Sequence, residues 1–106
     1  AYETDGLVAL SVTSNGVIPD NYYMSEGYPN PFNSTIRLSF GMPEASDVNI
    51  SVFDLSGRQL DVLTSGAVKA GQHTTAWNAR SKPSGIYWIK MTSGSFQQVR
   101  KVMLVK

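Results

Sequence analysis

Between Val48 and Leu63 the chain leaves little choice of local structure. Val48, Ile50 and Val52 alternate with Asn49, Ser51 and Phe53, the period of a strand with one strongly apolar face. Asp54-Leu55-Ser56-Gly57 reads as the reversal. The aspartate can bond the backbone that follows it, and the glycine supplies a positive φ at little steric cost. Arg58 opens a second strand through Leu60, Val62 and Leu63. The stretch is therefore a β-hairpin. A lone hairpin is marginal in water, so other strands must cover its apolar face.

The rest of the chain supplies them. Ile36, Leu38 and Phe40 alternate with polar residues from Ser34 to Phe40, and Gly41-Met42-Pro43 stops that strand. Glu44 to Asp47 leads into the hairpin. After Leu63, Thr64-Ser65-Gly66 and Ala70-Gly71 are expected to bound a loop. His73, Thr75 and Trp77 share a face of the next strand, and Asn78 to Ser84 is a polar loop. In Gly85 to Thr92, Tyr87, Ile89 and Met91 face one way, Ile86 and Trp88 the other. Ser93-Gly94-Ser95 turns the chain into a last strand, Phe96 to Val105. Leu7, Val8, Leu10 and Val12 could form a seventh. No stretch carries a helical period. At 106 residues the expectation is one all-β domain, an immunoglobulin-like antiparallel β-sandwich of about seven strands. Residues 18–106 form the sandwich. Residues 1–17 read as a linker from a preceding domain, able to add one edge strand. The opening Ala1-Tyr2-Glu3, without a signal peptide, reads as the start of a fragment.

Tyr28-Pro29-Asn30-Pro31-Phe32-Asn33 cannot be helical, because each proline lacks a donor and holds its predecessor extended. The segment reads as a stiff entry strap, poorly able to recruit a neighbouring strand, with Tyr28 and Phe32 as apolar anchors. Net charge is +1, but unevenly spread. Residues 1–47 hold six acids against Arg37, and residues 80–106 hold six bases and no acid. The back of the chain is either a basic surface for a partner or the electrostatic complement of the front.

No catalytic set emerges. The one histidine, His73, has no positioned partner in sequence, and Ser56 and Ser84 lie outside any nucleophile-elbow pattern. With no cysteine and no acid-rich loop, neither a metal site nor a cofactor is expected. No apolar run approaches the ~18 residues of a membrane helix. The few bases argue against nucleic acid. Trp77 and Trp88, with five tyrosines, allow a carbohydrate-binding module, although tryptophans in a small β domain more often build its core.

Four stretches in order resemble one known family, the C-terminal sorting domain of the type IX secretion system of Bacteroidetes and related bacteria. They are Tyr28–Asn33 (YPNPFN), Val52–Arg58 (VFDLSGR), Ala70–Trp77 (AGQHTTAW) and Ser84–Tyr87 (SGIY) with the closing Lys101–Lys106 (KVMLVK). The lead-in from Ile18 to Ser25 also fits. Gly27 departs from the family, standing where asparagine is usual. The resemblance implies an address carried by a larger cargo protein, not an enzyme. Its partners would be the secretion machinery and a surface sortase. Cargo would pass through the periplasm to the cell surface or beyond, and the sortase would remove the domain near its start. Carried over to this chain, the signature residues are Tyr28, Pro29, Asn30, Pro31, Phe32, Asn33, Gly57, Arg58, Gly71, His73, Trp77, Gly85, Tyr87, Lys101 and Lys106. Most read as scaffold. Arg58, Lys101 and Lys106 read as contacts, since charge is costly to bury. The alternatives are a carbohydrate-binding module and a structural spacer sandwich.

Overall fold

The computed structural model describes residues 18–106. Seven strands follow one another: β1 (Tyr23–Met24), β2 (Thr35–Met42), β3 (Ser46–Phe53), β4 (Gln59–Val68), β5 (Gly71–Asn78), β6 (Gly85–Ser93) and β7 (Phe96–Leu104). They pair into two antiparallel sheets, ordered β1-β2-β5 and β4-β3-β6-β7. This is the immunoglobulin plan, with the fourth strand on the larger sheet.

The alternations place the core between the sheets. Ile36, Leu38, Phe40 and Met42 of the small sheet face Val48, Ile50, Val52, Ile89 and Met91 of the large one, all buried. On β7, Val102 and Leu104 turn inward, while Met103 points out at 41% exposure.

Three expectations change. The hairpin's second strand runs on through Thr64-Ser65-Gly66 to Val68, so the expected loop shrinks to Lys69-Ala70. Its ladder with β3 shifts register twice, leaving Leu60 and Leu63 unopposed. Both pack against the core, which explains why the apolar positions of β4 break period two. The seventh strand is the two-residue β1 in the lead-in; the Leu7–Val12 candidate and the linker reading lie outside the described residues. Tyr28 is no apolar anchor. Its ring is 78% exposed, whereas Phe32 is buried at 2%.

Candidate functional site

The strap is tied to both sheets. Tyr28 exchanges backbone hydrogen bonds with Arg37 of β2 at 2.8 and 2.9 Å. Four residues on, the chain has crossed to the open edge of β7. Phe32 N–H donates to the Met103 carbonyl at 2.9 Å, and Val105 N–H donates to the Phe32 carbonyl at 2.8 Å, a parallel bridge. Pro31 has no donor to continue this ladder, and the Asn30 side chain takes over. Its amide nitrogen donates to the Lys101 carbonyl at 3.2 Å, and its oxygen accepts from Met103 N–H at 3.0 Å. A side-chain amide thus pairs with the strand as a peptide group would. The strap therefore does recruit a neighbour, contrary to the expectation from its prolines. Further along the same opening, the Arg100 guanidinium donates twice to the Met24 carbonyl, at 3.1 and 3.0 Å. Tyr22 stacks on Phe96 at 5.6 Å. From Lys101 to Val105, an edge that could template foreign strands is thus occupied.

Three further signature stretches meet beside the strap. In the β3–β4 turn, Asp54 Oδ1 accepts from the Ser56 hydroxyl at 2.6 Å and from the N–H groups of Ser56 and Arg58 at 2.9 and 3.0 Å. These bonds, the Ser56 hydroxyl first and then the Arg58 amide, hold the carboxyl below its usual range. Gly57 takes a φ of 86°, and the Arg58 side chain, 76% exposed, returns to Asp54 Oδ2 at 3.2 Å. Across from this turn Tyr87 is buried, and its hydroxyl donates to the Pro83 carbonyl at 2.5 Å. A tyrosine at the start of the sixth strand, bonded a few residues upstream, is the tyrosine corner of immunoglobulin-like sandwiches. Burial first, and then the Asp54 charge, push its phenol upward. At the chain's end, Lys106 N–H donates to Ser84 Oγ at 3.1 Å and Lys106 Nζ to the Arg80 carbonyl at 2.6 Å.

Phe32, Trp77 and Tyr87 seal the core under this end, with ring centres 5.8 Å apart for the first pair and 5.1 Å for the second. Gly71 and His73 are not brought here. They begin β5 at the opposite end of the sandwich, where His73 stacks on Phe40 at 5.5 Å and its Nε2 bonds the Lys69 carbonyl at 2.8 Å.

A family model described as the secretion system C-terminal sorting domain matches residues 26–106. The chain belongs to this family. The sorting domain is the C-terminal signal for type IX secretion, part of a larger cargo protein bound for the cell surface or beyond, and is not itself a catalyst. A comparison with curated proteins gives no match.

The roles of four residues in this sorting domain escaped the sequence reading. Asp61 Oδ2 accepts the Trp77 indole N–H at 2.8 Å, joining β4 to β5 across the side opposite the strap. Arg100 locks β7 to β1. Gly27 is buried against the core, where a side chain would overlap Ile36. The amide role of Asn30 has no local signal, because it depends on which strand lies alongside. A depression of about 540 Å³ sits far from the strap and is lined by Tyr23, Ser39, Gln72, His73 and Thr74. None of these lining residues is an acid, and His73 Nε2 is engaged by the Lys69 carbonyl, not by Ser39 or Thr74. Among the described residues no cluster of three metal-binding side chains occurs, and no helix is long and apolar enough to cross a membrane.

Proposed function

We propose that the machinery reads this sorting domain as a folded object at its strap end, after periplasmic transit, and that a surface sortase then cuts near the start of the domain. The convergence of YPNPFN, DLSGR, SGIY and KVMLVK on one end carries this reading. Stretches up to 78 residues apart in the chain become one surface only when the sandwich is complete. The cut would fall upstream of every strap contact, so the domain would leave as a unit. On this reading Tyr28, Arg58, Lys101 and Lys106 are exposed members with the ring or charge to touch a partner. The buried Phe32, Trp77 and Tyr87 hold them in place. Attachment of the released cargo to an anionic lipopolysaccharide would follow from the same family reading.

The test fuses the 106-residue chain behind a reporter with a signal peptide, in a host with type IX secretion. Lys101→Gln with Lys106→Gln removes two charges and keeps polarity and length. The reporter is expected to stay folded but be retained in the periplasm. Normal secretion, with more aggregation at high concentration, would show that these lysines only guard an edge.

A further inference from the structure

Lys101 of the sorting signature sits on an outer face of the large sheet whose centre, Trp88 and Lys90, the signature does not include. Strand register puts Trp88 between Phe53 of β3 and Lys101 of β7, and Ile86 opposite Met103. Directly opposed residues share a face, so these side chains form one patch. Lys90 borders it on β6, with Val99, 45% exposed, opposite. Pro31 of the strap walls one side of a crevice of about 190 Å³, with Ile86, Lys101 and Met103 on the other. The patch therefore runs from mid-sheet into the strap end.

We infer that this face is a docking surface for a protein partner carrying an apolar patch rimmed by acidic side chains. Two observations select that occupant. Neither β6 nor β7 carries an acid, while Lys90 and Lys101 flank the apolar centre. A second copy would set lysine against lysine, so a homodimer through this face is opposed by charge. The cross-strand neighbours of Trp88, Phe53 and Lys101, are an aromatic and a cation, not the amides and carboxylates with which a sugar site orients hydroxyls. An aromatic and a methionine at the centre, with charge at the rim, is instead the composition of a protein interface. The inference rests on the sorting reading, in which the partner belongs to the secretion machinery.

The test uses the reporter fusion of the whole 106-residue chain and two charge-changed variants. The first carries Lys90→Glu and Lys101→Glu on the outer face of the large sheet. The second carries Arg37→Glu, Gln72→Glu and Thr74→Glu on the outer face of the small sheet, the same net change in charge. A third variant, Met103→Ser, trims the apolar centre at an exposed position. Thermal melts and near-UV circular dichroism check folding. The expected result is secretion slowed about tenfold in the first and third variants, with melts unchanged, and normal secretion of the second. If Met103→Ser lowers the melt, the first variant decides. Normal secretion of the first variant overturns the inference, and Lys101 as a contact with it, and leaves the sorting role of the domain standing. Equal retention of the first and second also overturns it, because charge anywhere would then suffice. Retention of the unmodified fusion overturns both. Glycan-array binding by the unmodified chain that is lost in Trp88→Ala would assign the face to a sugar and overturn the inference as well.

Discussion

Replacing Trp77 by alanine tests the packing at the strap end most directly. The indole is 2% exposed and lies between Phe32 and Tyr87. A tryptophan of this burial removes roughly 150–250 Å² from water, and at about 25 cal/mol per Å² that is worth about 4–6 kcal/mol. Alanine keeps a little of this and the cavity partly relaxes, so the expected loss is about 3–5 kcal/mol. Domains of this kind have roughly 5–15 kcal/mol in total, so the variant should be near the edge of folding. Part of the loss is the hydrogen bond to Asp61. That carboxylate is at the surface, where water can replace the indole, so Asp61→Ala should cost only about 1 kcal/mol. The two changes share one bond, and the double variant should be less destabilised than the sum by a similar amount. Urea unfolding followed by far-ultraviolet circular dichroism measures all four corners, and Trp88 remains as a fluorescent probe. A loss below about 1 kcal/mol for Trp77→Ala, typical of surface changes, would refute the burial argument. Strict additivity with Asp61→Ala would refute the bridge between the sheets.

Asn30→Asp keeps the acceptor for Met103 N–H but sets an oxygen against the Lys101 carbonyl; it should cost about 1–2 kcal/mol in urea unfolding. A loss equal to that of Asn30→Ala would show that the acceptor contributes nothing. Gly27→Ala should cost about 1–3 kcal/mol by overpacking, because its Cβ would overlap Ile36 Cδ1 and sit 2.8 Å from Cγ1. Adding Ile36→Val, which removes Cδ1, should recover part of that loss on the same denaturant curve. The lowered pKa of Asp54 gives a pH dependence with a definite sign. As pH falls past the ordinary carboxylate value of 3.8, the unfolded chain takes up the proton first. The contribution of Asp54 is complete above that value and is lost as pH falls through the lower folded one. Acid titration of the melting temperature should show this limb in the parent and a shallower one in Asp54→Asn.

The parts of the fold that repeat locally could be read from the residues in order. Val48, Ile50 and Val52 announce a strand whatever surrounds them, and the Asp54 and Gly57 turn is complete within five residues. The Tyr87 bond to Pro83 is equally local and could have been read from a tyrosine four residues after a loop proline. Features that depend on tertiary neighbours were not legible. Tyr28 and Phe32 are both aromatic and both beside prolines, yet one ring faces solvent and the other the core. Only the crossing from β2 to β7 decides between them. Asp61 faces Trp77 because two register shifts turn β4, and no alternation rule anticipates such shifts. The charge imbalance also proved a poor guide to contact. Among the described residues the basic end meets an acid of the front once, Arg100 to Glu26 at 4.0 Å. An exposed pair at that separation contributes little.

The parallel bridge between the strap and β7 also fixes how the domain bears a pull. Suppose a cargo ahead of Ile18 is held in one place while the domain is gripped at Lys106. The strap is then drawn towards its own beginning and β7 towards its end. For two segments running the same way, those forces slide one along the other and do not peel them apart. The bonds at Asn30, Phe32 and Val105 are then loaded together, and the Phe32 ring must be dragged out of its socket at the same time. The β6–β7 ladder lies the other way round, with both strands antiparallel and joined by a tight turn at Gly94. A tug at Lys106 would open that ladder rung by rung. By fastening the last strand to a segment ahead of β2, the strap converts a seam that would unzip into one that fails only all at once.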